Sequence, residues 1–174
     1  MLNLFKKNNI DPANLSTLQR ILLSTDGTLT EILEAYFLEQ IVLVKLSEHM
    51  FAAPADIAEL HAYEGDQLIQ RRILLQGAQT KQNYVYADSF IVVDRIDERM
   101  KQDLLDSKIP LGRLWLQHRM ETFKEMMNID SKPAGELCSY FDIAPEDRIF
   151  SRSYRVFSKR TPIIFITEIF PIRE

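Results

Sequence analysis

Five runs of β-branched and aromatic residues place the tightest limit on the fold: Ile41 to Leu46, Leu68 to Leu75, Tyr84 to Val93, Ile149 to Phe157 and Ile163 to Phe170. Such residues crowd a helix and pack well on a pleated surface, so the runs predict a sheet of about five strands. Gln76-Gly77-Ala78-Gln79 joins the second run to the third, and Ser158-Lys159-Arg160-Thr161, followed by Pro162, joins the last two. Links this short make hairpins, so the sheet is expected to be largely antiparallel.

Helical patterns flank the strands. From Asp11, with Pro12 preset for a first turn, Leu15, Leu18, Ile21 and Leu22 recur at helical spacing and predict a helix ending near Ser24. After the turn Thr25-Asp26-Gly27, Thr28-Leu29-Thr30-Glu31 reads as a capping box opening a second helix, with Leu29, Ile32, Leu33, Tyr36 and Phe37 as its buried stripe. Glu98 to Leu105 and Pro110 to Met127 read as two more helices, and residues 128–147, with Pro133, Gly135 and Pro145, as a loop suited to a flap. The fold class is α+β: a single domain over residues 1–174, with helices packed around a largely antiparallel sheet.

The balance of 46% hydrophobic and 26% charged residues is that of a globular chain rather than a disordered one. A net charge of -4, with no block rich in lysine and arginine, argues against nucleic acid as a partner. Cys138 is the only cysteine, which excludes an intrachain disulfide and a cysteine zinc site and marks the thiol as a small buried hydrophobe. His49, His61 and His118 lack ligand spacing and read as surface or capping residues, so no metal site is expected. There is no GxSxG elbow, GxGxxG turn or GKS/GKT phosphate loop, so no covalent hydrolase and no nucleotide cofactor is expected. Met1 to Asn9 has no leader pattern and no window approaches the roughly 18 apolar residues of a membrane span, which points to the cytoplasm and to no membrane partner.

Strand parity singles out two charges, because side chains two residues apart share a face. Arg71 falls with Ile69, Ile73 and Leu75, and Glu168 with Ile164, Ile166 and Phe170. A guanidinium on an apolar face cannot shed its proton and needs an anion. Two readings stand at this point: Arg71 and Glu168 pair with each other as a buried bridge, or they face a ligand. The charges between Pro110 and Met127 (Arg113, His118, Arg119, Glu121, Lys124 and Glu125) read as a solvated helix face, and Met120, Met126 and Met127 as core filler.

Arg71 within RRILL, Pro110-Leu111-Gly112-Arg113 after a helix, and Thr167-Glu168-Ile169-Phe170-Pro171 near the end occur in an order that resembles the chorismate pyruvate-lyase (4-hydroxybenzoate synthase) family. Asp26-Gly27-Thr28-Leu29-Thr30, Tyr86-Ala87-Asp88-Ser89 and Arg152-Ser153-Tyr154-Arg155 extend the resemblance from about residue 15 to residue 171. It implies a chorismate lyase-like fold, a ligand enclosed beneath flaps, and elimination of pyruvate from chorismate to leave 4-hydroxybenzoate without a cofactor. Arg71 would bind the ring carboxylate and Glu168 would meet the oxygen at the opposite end of the ring, both as catalytic residues. Leu111 and Gly112 would offer backbone amide near that carboxylate, and Leu29 would line the pocket.

The resemblance also carries a departure. The better-known bacterial pattern has arginine where Asp88 stands, so the cation for the enolpyruvyl carboxylate has to come from Arg152, Arg155 or Arg113. Two other functions compete: an aromatic-acid sensing domain like those of transcription regulators, and a lyase or isomerase acting on a related precursor. The expected partner is the small-molecule substrate, and the expected assembly a monomer or weak homodimer.

Overall fold

A computed structural model describes residues 2–8, 10–106, 110–119 and 121–171. Its centre is a six-stranded sheet: β1 (Ile41–Ala52), β2 (Gln67–Gly77), β3 (Asn83–Val92), β4 (Phe123–Pro133), β5 (Arg148–Ser158) and β6 (Thr161–Pro171). The spatial order is β1-β2-β3-β6-β5-β4, and every pairing is antiparallel. Two meanders, β1-β2-β3 and β4-β5-β6, are thus joined through the pairing of β3 with β6. The α+β class and the antiparallel sheet match the expectation from the strand runs.

Among the described residues six α-helices accompany the sheet: α1 (Leu2–Lys7), α2 (Thr17–Ser24), α3 (Leu29–Phe37), α4 (Glu98–Asp106), α5 (Leu111–Gln117) and α6 (Cys138–Phe141). On one face, Leu22 and Leu23 of α2 and Leu29 and Leu33 of α3 pack over Ile41, Leu75, Val85 and Phe170. Further along the same face, Met100, Leu104, Leu114 and Trp115 from the α4–α5 segment cover Ile69, Ile91, Val156 and Ile164. The opposite face carries Leu74, Tyr86 and Ile169 under Phe141 of α6, with Leu68 and Val92 under Leu60. Removing these side chains from water supplies most of the drive to fold.

Several local readings are corrected. The helix from Pro110 stops at Gln117, and Phe123–Pro133, read partly as helix and partly as loop, is the sixth strand. As an edge strand β4 keeps only Ile129 fully buried, and a bulge between Met126 and Asn128 interrupts the alternation that reveals a strand. Pro12 opens a single 3-10 turn capped by Asp11; the α-helix begins after Ser16, where Ser16 and Gln19 form a reciprocal capping box at 3.2 and 2.8 Å. No such box forms at Thr28, which is the N-cap of α3 but makes no side-chain cap bond and instead packs on Gly112. Tyr36, expected in the buried stripe, is 59% exposed, whereas Phe37 stacks on Tyr84 with centroids 4.0 Å apart. Cys138 is half-buried rather than buried, and Met120 lies outside the described residues.

The β2–β3 turn is fixed by one carboxylate. Glu39 accepts hydrogen bonds from the Tyr84 hydroxyl at 2.6 Å, the Thr80 hydroxyl at 2.7 Å and the amides of Gln79 and Thr80 at 3.0 and 3.2 Å. A Cβ on Gly77 would stand 2.4 Å from Glu39 Oε1, so only glycine lets the strand pass the clamp. The Tyr84 and Thr80 hydroxyl bonds pull the Glu39 carboxyl from 4.5 down to about 2. With the folded pKa below the unfolded one, its stabilisation is complete above pH 4.5 and is lost as pH falls through about 2. Urea midpoints measured across that acid window are expected to fall more steeply for wild type than for Glu39→Gln, which starts from a lower midpoint near neutrality.

Candidate active site

A small, partly enclosed cavity of about 60 Å³ lies between the two apolar clusters of the helix-covered face. Its floor follows the parity rule: Arg71, Ile73 and Leu75 of β2, Ala87 and Ser89 of β3, Ile166 and Glu168 of β6, and Tyr154 of β5. The roof is Thr28, Leu29 and Thr30 at the start of α3, with Pro110, Leu111, Gly112 and Trp115 of the α5 segment. The two roof pieces touch at Gly112, where a Cβ would come within 2.8 Å of the Thr28 methyl. Any larger side chain at 112 would prop the roof open.

Arg71 and Glu168 do not pair with each other. Arg71, 1% exposed, faces Glu48 of β1 across the strand pair, with Nε 3.1 Å from the carboxylate but not aligned for a hydrogen bond. Burial lowers the pKa of this guanidinium and the charge of Glu48 raises it. Glu48 also holds Lys45 at 2.6 Å. Glu168 accepts from Arg152 Nε at 2.6 Å and from the Tyr154 hydroxyl at 2.9 Å. Burial, then the negative charge of Glu168, raises the Tyr154 pKa well above the usual tyrosine range, so its hydroxyl remains a donor.

Arg152, expected at a second substrate carboxylate, is placed behind Glu168. Besides Glu168 it donates to the carbonyls of Leu22 and Thr25 at 2.6 and 2.7 Å, tying the end of α2 to the sheet. Burial works against its charge, but Glu168 and Tyr154 outweigh that and leave its pKa raised. Arg155 points to the other face, where it meets Glu125 and the Glu59 carbonyl. Arg113 links α5 to Glu34 of α3. None of the three is among the residues lining the cavity. Asp88, the departure from the bacterial pattern, also lies on the far face, accepting from Gln70 and from Arg72 at 3.0 Å.

The cavity contains residues that sequence reasoning passed over: Lys124, Trp115, Tyr154 and Ser89. The sequence pattern puts Lys124 on a solvated helix face; on β4 it reaches inward over the rings of Trp115 and Tyr154. Had residues 123–133 been read as a strand, its place beside Tyr154 would have followed from the sheet. Among the described residues no three His, Cys, Asp or Glu side chains gather as a metal site, and no helix is long and apolar enough to cross a membrane.

The family described as chorismate pyruvate-lyase Rv2949c-like matches residues 23–174. The chain belongs to this family. A chorismate pyruvate-lyase from Mycobacterium leprae is 31% identical over 157 residues, covering 87% of this chain and 72% of the relative. One from Mycobacterium tuberculosis is 27% identical over 158 residues, covering 87% and 78%. The effector domain of PhnF from Mycobacterium smegmatis has the same fold, with a TM-score of 0.65 at 12% identity over 83% of this chain and 88% of that one.

The Arg152–Glu168 pair should be structural as well as local to the cavity. Arg152→Met is expected to cost about 3–5 kcal/mol, because it strands a carboxylate in an apolar wall. Chemical denaturation should show that Arg152→Met combined with Glu168→Leu costs less than the sum of the two single changes.

Proposed function

We propose that this protein eliminates pyruvate from chorismate to give 4-hydroxybenzoate in the cavity between α3 and α5. The observation that carries the reading is a guanidinium and a carboxylate set into one apolar floor, both facing the same space and each neutralised from behind. Arg71 pairs with Ser89 across β2–β3, and Ala87 with Glu168 across β3–β6. Two strands and two residues of offset put their Cα atoms about 12 Å apart. That span fits a ring with a carboxylate at one end and an oxygen at the other, held between two side chains.

The chemistry asks little of the protein. The bond from the ring to the enolpyruvyl oxygen breaks, the hydrogen on the ring carbon bearing the hydroxyl leaves as a proton, and the ring becomes aromatic. That proton is balanced by one gained at the enolpyruvyl methylene, which becomes the methyl group of pyruvate. No electrons pass to or from another reactant. What speeds such a step is a closed apolar slot that fixes the reactive conformer. Arg71 anchors the ring carboxylate, Leu111 and Gly112 close the roof over it, and Leu29 walls the side. Glu168, held in place by Arg152 and Tyr154, takes the ring hydroxyl and orients the carbon that loses its proton. Arg152 acts on the substrate only through Glu168.

A binding-only reading has the shared fold of the PhnF effector domain behind it, and one assay separates the two. Purified protein given chorismate should release pyruvate and 4-hydroxybenzoate in equal amounts; absence of both products would reject the lyase reading.

Variants at the two charges divide the roles. Arg71→Ala should weaken 4-hydroxybenzoate binding by at least about tenfold while the fold survives, since Lys45 still meets Glu48. Glu168→Gln should lower kcat by about a hundredfold with product affinity largely kept. Calorimetric titration with 4-hydroxybenzoate and steady-state kinetics with chorismate read both effects.

A further inference from the structure

The charges around the cavity do not cancel. Arg71 is answered by Glu48, and Arg152 by Glu168. Lys124 also lines the cavity, yet among the described residues no carboxylate stands within ion-pair distance of it. Its Nζ donates one hydrogen bond, to the Gly27 carbonyl at 3.0 Å, and lies 5.7 Å from the centre of the Trp115 ring and 5.5 Å from that of Tyr154. An ammonium has three N–H donors, so a single protein oxygen leaves it under-used. Aromatic faces attract the cation without neutralising it. Burial accordingly lowers its pKa, and the field of Glu168 only partly restores it. Gly27 directly precedes Thr28, whose side chain leaves the N-terminus of α3 uncapped, and the partial positive charge of that helix end adds to the same corner.

We propose that Lys124 receives the enolpyruvyl carboxylate of chorismate and is the group by which the site tells its dianionic substrate from its monoanionic aromatic product. The inference rests on the lyase reading above. Position supports it as well as charge. The enolpyruvyl group is borne by the ring carbon next to the one carrying the hydroxyl, so its carboxylate belongs at the Glu168 end of the cavity. Tyr154 marks that end: its hydroxyl donates to Glu168 at 2.9 Å, and Lys124 lies over its ring. Once the ether is broken, pyruvate carries that second carboxylate away and 4-hydroxybenzoate keeps only the one at Arg71. A grip on the departing fragment therefore strengthens substrate binding without making the aromatic product harder to release.

The test compares substrate and product on the same variants. Wild type is first assayed for pyruvate release from chorismate; no release would overturn the lyase reading, and this assignment with it. Given activity, Lys124→Gln is expected to raise the KM for chorismate by about ten- to a hundredfold, leave the inhibition constant of 4-hydroxybenzoate within about twofold, and keep the wild-type melting behaviour. Lys124→Arg should recover most of the lost KM. An unchanged KM in Lys124→Gln would overturn the role of Lys124 and leave the lyase intact. Equal weakening of substrate and product would overturn it too, since that pattern marks a distorted cavity rather than a lost anion contact.

Discussion

The buried cluster of Arg152, Glu168 and Tyr154 is the interaction on which the cavity depends. A carboxylate on an apolar strand face would otherwise be costly, and here two donors, Arg152 Nε and the Tyr154 hydroxyl, satisfy one oxygen each. Arg152 gives one arm to Glu168 and another to the carbonyls of Leu22 and Thr25 at the end of α2. The same guanidinium thus holds an acid in place and closes the helix layer over it. Engaged in this way, Arg152 stands behind Glu168 rather than among the residues that line the cavity.

How much of this was legible in the chain follows from how each strand meets water. Buried on both faces or at the sheet centre, β2, β3, β5 and β6 display their β-branched runs openly, and their alternation was enough to aim Arg71 and Glu168 at one side of the sheet. Parity left open whether the two met each other. Only the partners settle that, and Glu48 and Arg152 come from strands whose register a sequence does not display. Edge strand β4 was unreadable because charged and half-exposed residues protect its free side, and a bulge shifts its phase. The cost of that one misreading was Lys124, the cavity's third charge.

Asp88 shows the opposite situation. In sequence it looks like a reversal of charge inside a binding motif. In the sheet it stands on the far side from Ala87 and Ser89, engaged with Gln70 and Arg72, so the substitution changes the outer face of β3 and leaves the electrostatics of the cavity to other strands. A motif compared position by position can thus differ in a residue that faces away from the cavity.

The central place of β6 has a bearing on how the chain assembles. This strand pairs with β3 on one side and β5 on the other, so the two meanders share no hydrogen-bonded seam until residues 161–171 have been synthesised. During translation β1-β2-β3 would emerge as a three-stranded piece whose β3 edge waits for a partner about seventy residues downstream. The segment that seals this edge is also the one that delivers Glu168, so a nascent chain cannot acquire its acid before its sheet is whole.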